Sequence, residues 1–252
     1  MMHHLLASAA VTDCRCWPEP PPLTPGVVQV WSAAQDGYAD WRAWLPLLTA
    51  EERRKAERFH FERDRRRFAV CRGLLRVLLS RYLDMPPTAI ALTYGNHGKP
   101  ALACQRVRFN VSHSHGWALL AFTLDREIGV DLEKLRPLRN AEGLARRFFA
   151  PREAAVLLGL PEAERLAAFF RCWTRKEAYI KAIGTGLACP LDQFAVTLAP
   201  GEPAQLLWVA NRADEVARWS MTHLDPAPGF VAALIAEGHD WRWEQRIITA
   251  RT

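Results

Sequence analysis

Hydrophobic and polar positions along this chain repeat with two different periods. From Phe170 to Leu187, Phe170, Trp173, Glu177 and Ile180 recur at spacings of 3, 4 and 3, one stripe of a helix. Three members of the stripe are apolar and belong against a core. The fourth is a carboxylate, which is costly to bury ionised and unpaired. Glu177 therefore needs a basic side chain, a metal or water in a cleft. Lys181, one turn on, offers the plain structural alternative of a rim ion pair. Gly184 and Gly186 end the helix with residues that accept positive φ.

A second helical region opens at Thr49, whose T-x-x-E spacing to Glu52 is a capping box. It breaks at Phe59–Phe61. Another helix follows over Arg65–Leu83, with Phe68, Leu75, Leu78, Leu79 and Tyr82 facing inward, and Pro86–Pro87 end it. Leu144–Phe149 and Glu153–Leu158 also read as helical. The period-two segments are Val27–Trp31, Ile90–Tyr94, Phe109–Ser112, Trp117–Leu124, Ile128–Glu133, Phe194–Leu198, Leu206–Val209, Trp219–His223 and Phe230–Ile235. Pro and Gly turns separate them, as in antiparallel meanders. Helices grouped with strands, without regular βαβ alternation, argue for an α+β fold. The grouping occurs twice, with the halves meeting near Asp125. The expected organisation is a Pro-rich leader (1–25), an N-terminal half (26–124) and a C-terminal half (125–252).

In a strand over Ile128–Glu133, Ile128, Val130 and Leu132 point to one face and Asp131 and Glu133 to the other. The two carboxylates then lie about 7 Å apart. Like charges so close either mark a polar surface or are reconciled by a bound cation.

Composition narrows the class. Half the residues are hydrophobic and 24% charged, as in ordinary globular proteins. No apolar run nears the ~20 residues of a membrane span. Leu5–Val11 has no Lys or Arg before it and makes a poor signal peptide. The six cysteines show no zinc or C-x-x-C spacing, so reduced thiols and a cytoplasmic location are expected. The net charge of +6 is concentrated: Arg53–Arg67 carries eight Lys or Arg against three Asp or Glu. Such a block suits a solvated helix face or an anionic partner. Nucleic-acid binding through it is one alternative, but it leaves the acidic residues unexplained. A Mg²⁺-dependent hydrolase of small phosphates would explain the acids but not the block.

Taken together, Gly98-Lys99-Pro100, Phe109-Asn110-Val111-Ser112-His113-Ser114, Gly129-Val130-Asp131-Leu132-Glu133 and Trp173-Thr174-Arg175-Lys176-Glu177-Ala178-Tyr179-Ile180-Lys181 resemble the phosphopantetheinyl transferases of the long, monomeric, surfactin-synthetase-activating kind. Gly184-Thr185-Gly186-Leu187 and Pro190-Leu191 also fit. The resemblance implies a pseudo-symmetric pair of halves, each an antiparallel sheet on a long helix, with coenzyme A bound between them. It implies transfer of the 4′-phosphopantetheine arm to a serine of an acidic carrier-protein domain, with adenosine 3′,5′-bisphosphate released. By the same resemblance Asp131, Glu133 and Glu177 are expected to hold Mg²⁺; whether Mn²⁺ substitutes is left open by the sequence. Glu177 is the expected general base, and Lys176 and Lys181 are placed on the pyrophosphate. Ser112 and His113 are expected at the nucleotide phosphates, Lys99 at the adenine pocket, and Lys55 and Arg67 at the nucleotide end. No nucleic-acid or membrane partner is expected.

Overall fold

A computed structural model of the protein describes residues 20–95, 98–103 and 106–248. Most of the segment read as a leader, with Cys14 and Cys16, lies outside the described residues, as do positions 96 and 97 of the Gly95–Pro100 turn.

The chain begins with strand β1 (Val27–Ala34) and reaches helix α1 (Ala50–Glu57). Thr49 caps α1 as its spacing predicts: its Oγ1 accepts the Glu52 N–H at 3.3 Å, and Glu52 Oε2 accepts the Thr49 N–H at 2.9 Å. Helix α2 (Glu62–Leu83) follows the Phe59–Phe61 break. It starts three residues before the expected Arg65, because the Phe61 carbonyl already accepts the N–H groups of Asp64 and Arg65. It ends on Asp84 in the left-handed region (φ 51°). Arg76 of α2 holds both Glu52 carboxylate oxygens, at 2.7 and 3.0 Å, and so pins α1 to α2. The half closes with β2 (Leu92–Tyr94), β3 (Pro100–Leu102), β4 (Val107–Ser114) and β5 (Trp117–Leu124).

The second half repeats this order. Strand β6 (Ile128–Lys134) precedes helices α3 (Ala141–Phe148), α4 (Pro151–Gly159) and α5 (Glu162–Ile183). A short ladder of β7 (Phe194–Val196) and β8 (Leu206–Val209), the one-turn helix α6 (Asp214–Arg218), then β9 (Trp219–Leu224) and β10 (Phe230–Glu237) complete it. The long helices α2 and α5 are each 22 residues. The strand orders β1-β5-β4 and β6-β10-β9 are equivalent: in each half the first strand pairs with the last, and the last with the one before it. All of these pairs are antiparallel. The fold is α+β and pseudo-symmetric. A final strand, β11 (Arg242–Ile248), returns from the end of the C-terminal segment to pair in parallel with β1.

Alternation along the strands builds four layers. Val28, Val30, Leu119 and Ala121 of the first sheet pack on Ile128, Val130, Leu132 and Leu234 of the second. The opposite faces take the helices. Trp31, Phe109, Leu120 and Phe122 pack with the α2 residues Leu74, Leu75 and Leu78. Val231, Ala233 and Ile235 pack with Phe169, Tyr179 and Ile180 of α5. On β6 this leaves Gly129, Asp131 and Glu133 facing α5. No helix among the described residues is long and apolar enough to cross a membrane.

Candidate active site

The site exists because β6 and α5 approach unusually closely. A Cβ on Gly129 would lie 2.0 Å from the Ala178 carbonyl oxygen and 2.6 Å from the Ala182 nitrogen. Only glycine allows the helix backbone that near, and the contact brings Asp131, two residues on, up to the Glu177–Lys181 turn. Gly129→Ala is expected to force the helix off the strand and cost about 1–3 kcal/mol. Thermal unfolding would show a lowered Tm, and activity at this site should fall with it. A native Tm and activity would mean that the close approach is not needed.

Lys181 Nζ lies 2.6 Å from Asp131 Oδ1 and 2.9 Å from Ser112 Oγ. Lys181 therefore pairs with Asp131 across the elements rather than with Glu177 along its own helix. Ser112 Oγ donates to Asp131 Oδ1 at 2.9 Å, and Ser114 Oγ donates to Glu133 Oε2 at 2.9 Å. Asp131 is buried, and its second oxygen, Oδ2, is buried without a hydrogen-bond partner. Burial, and then the Asp131 charge, raise the pKa of both Glu133 and Glu177, with Lys181 opposing. Asp131, Glu133 and Glu177 thus share one electrostatic neighbourhood. Among the described residues no three or more His, Cys, Asp or Glu side chains already close around a metal position, and the Asp131 charge is met by the Lys181 ammonium.

Beside this face a cleft of roughly 410 Å³ opens between α2 and the end of β4. Phe59, Phe68, Leu75 and Val111 give it an apolar wall, and Lys55, Arg67, Arg72 and His113 supply cationic or imidazole groups. Lys55, Arg67 and His113 therefore line one cleft. The Lys55 ammonium sits 5.5 Å from the centre of the Phe68 ring. Arg67 is bound through Nε and Nη2 to the Asp36 carboxylate, at 2.9 and 2.5 Å. Enclosure in the cleft, reinforced by the Lys181 charge, lowers the pKa of His113. A depression of about 430 Å³ by Arg81 and Met85, near the C-terminal end of α2, holds none of the candidate residues.

Three expectations are corrected. Lys176 is not in the cleft. It is fully buried, 2.7 Å from Glu153 Oε2, and donates to the carbonyls of Leu191 and Phe194. Adjacent helix residues diverge by about 100°, so Lys176 and Glu177 cannot serve one face. Lys99 does not line the cleft either. Its Nζ is spent on Glu127 Oε2 and on the carbonyls of Ile128 and Ala182, tying the N-terminal half to the last turn of α5. Ser112 is buried, and its hydroxyl is committed to Asp131 and Lys181 rather than open to a phosphate.

Sequence reasoning also missed Gly129, Ser114, Asn110 and Arg72. The first three stand inside motifs it had quoted. Asn110, Ser112 and Ser114 are a polar period-two set alternating with Phe109, Val111 and His113, which is a readable signal.

Comparison with known proteins gives a consistent result. The 4′-phosphopantetheinyl transferase superfamily pattern matches residues 127–235, and an N-terminal 4′-phosphopantetheinyl transferase pattern matches residues 30–124. The 4′-phosphopantetheinyl transferase HetI of Nostoc sp. is 39% identical over 232 residues, 89% of this chain and 94% of that protein. The 4′-phosphopantetheinyl transferase Sfp of Bacillus subtilis is 33% identical over 156 residues, 62% of this chain and 68% of that protein. Among solved structures, a Chronobacterium ammoniagenes ACPS–CoA complex covers 46% of this chain and 98% of its own at 16% identity, with a TM-score of 0.34.

Proposed function

The chain belongs to the 4′-phosphopantetheinyl transferase family, and on that premise we propose how its cleft moves the 4′-phosphopantetheine group from coenzyme A to a carrier protein. The nucleotide end of coenzyme A lies in the α2–β4 cleft, its base on the Phe59–Phe68 wall and its phosphates toward Lys55, Arg67 and His113. Asp131, Glu133 and Glu177 would hold a Mg²⁺ ion, which when bound would supply charge neutralisation at the pyrophosphate. The donor set fits such an ion. It is all carboxylate oxygen, as Mg²⁺ prefers, and it includes the orphaned Asp131 Oδ2. Burial first, and then the Asp131 charge, raise the pKa of Glu133 and Glu177, so an added positive charge there would be favoured. The buried, unpartnered Oδ2 of Asp131 is the observation that carries this reading.

Lys181, beside Asp131 in this structure, would face the phosphates as a point charge. Glu177 accepts the proton of the incoming serine. The serine oxygen–phosphorus bond forms as the bond from that phosphorus to the nucleotide oxygen breaks. Adenosine 3′,5′-bisphosphate departs, with its new charge facing Lys181. The basic Arg53–Arg67 block suits an acidic carrier domain. The enzyme acts as a cytoplasmic monomer, without nucleic acid or membrane.

The test is a panel of apo acyl, peptidyl and aryl carriers incubated with coenzyme A and Mg²⁺. Mass spectrometry should show a gain of about 340 Da, the mass of the arm moved by the phosphoryl transfer, and no gain once the metal is chelated. Transfer that survives chelation would refute the metal reading. No gain on any carrier would refute the function.

A further inference from the structure

Strands β4 and β6 are the edges of two different sheets, yet they are stitched together. Asn110 Oδ1 accepts the Val130 N–H at 2.9 Å, Ser112 Oγ the Leu132 N–H at 3.2 Å, and Ser114 Oγ the Lys134 N–H at 3.3 Å. Polar side chains at every second position of one strand thus replace the backbone carbonyls that a neighbouring strand would offer. The two serines do more than close the edge. Each also donates its one proton to the acid just before the amide it accepts, Ser112 to Asp131 and Ser114 to Glu133. Main chain and carboxylate are gripped by the same hydroxyl, and the unit repeats two residues later. His115 Nδ1 also lies 3.0 Å from Ser114 Oγ.

A carboxylate held by one oxygen offers the other. Ser112, with Lys181, occupies Asp131 Oδ1, and Oδ2 is the atom left unpartnered. Ser114 occupies Glu133 Oε2, which leaves Oε1 to play the same part. We propose that Ser112 and Ser114 are positioning residues which fix the Asp131 and Glu133 carboxylates for a divalent cation through paired hydroxyl grips across the seam between the sheets. Hydrogen-bonded partners of ligating groups commonly set metal affinity by about 10–100-fold. Asn110 belongs to the same ladder but touches no carboxylate, so it separates register from positioning.

The inference rests on the metal reading above. It is tested by direct Mn²⁺ binding to the full chain, read by electron paramagnetic resonance of the free ion with and without coenzyme A. Native protein should bind Mn²⁺, and Ser114→Ala should weaken binding about tenfold or more. Ser114→Thr should restore most of it by returning the hydroxyl. Asn110→Ala should lower Tm but leave Mn²⁺ affinity within about twofold, below the range expected for such partners. Native-like binding by Ser114→Ala would overturn the proposal. So would an Asn110→Ala defect as large as that of Ser114→Ala, since register alone would then account for both. No Mn²⁺ binding by the native chain would instead sink the metal reading itself.

Discussion

Glu177→Gln is expected to cut phosphopantetheine transfer by about 10²–10⁴-fold, the usual contribution of a positioned base, while leaving metal-free protein at least as stable as native at pH 7. The second half of this result follows from the environment of the carboxyl. Burial, and then Asp131, raise its folded-state pKa above the unfolded value. A group shifted that way contributes stability that is fully present below the unfolded pKa and is lost as pH rises through the folded one. At neutral pH the ionised Glu177 is therefore a burden on the folded chain, and the amide removes it. Thermal scans of both proteins should show the variant level with or above native at pH 7. Its advantage should shrink as pH falls through the raised folded-state pKa toward the ordinary carboxylate value, and be gone below that value. A base that costs stability is a common trade at an active site. Retained transfer would remove Glu177 from the chemistry, and a lower Tm at pH 7 would show that it is a structural anchor.

The second large effect lies one residue away and is of a different kind. Lys176→Met should cost about 3–5 kcal/mol, the usual result of breaking a buried ion pair from one side. For a chain this long that is about 6–20 °C in Tm. The pair is dry, with the Lys176 side chain 0% exposed and Glu153 1% exposed. Removing the ammonium strands the carboxylate and leaves the Leu191 and Phe194 carbonyls without its donor. Glu153 keeps two backbone partners, the N–H groups of Ala150 and Val196. A second change, Glu153→Leu, should therefore recover only part of the loss. Were Lys176 on the pyrophosphate, Lys176→Met would instead raise the KM for coenzyme A and spare Tm, so a denaturation curve beside a KM measurement separates the two.

These neighbours show where sequence reasoning succeeds and where it stops. The α5 stripe, the Thr49–Glu52 capping box and the outward pairing of Asp131 with Glu133 depend on local periods, so they were readable from residue spacing alone. Lys176 was misplaced because a basic residue beside a candidate base looks like part of it. Its true partner, Glu153, sits on α4, and only tertiary packing brings the two together. Lys99 failed for the same reason: its acceptors Glu127 and Ala182 come from the other half. Strand β11 gave little signal because it lies at a sheet edge, and the Arg242-Trp243-Glu244-Gln245 run carries no buried face. The serine grips join residues about twenty apart on strands of different sheets, a pairing that no period reveals. The closeness of β6 to α5 was written in one letter, Gly129, but its meaning needed the helix backbone in place.

The central claim is that Asp131, Glu133 and Glu177 receive one divalent ion. The most direct measurement is anomalous scattering from a crystal grown with Mn²⁺ and coenzyme A. A single peak within ligand distance of all three carboxylates, with Lys181 moved off Asp131 toward the pyrophosphate, is the predicted result. A peak elsewhere, or an undisturbed Lys181–Asp131 pair beside bound coenzyme A, would contradict it.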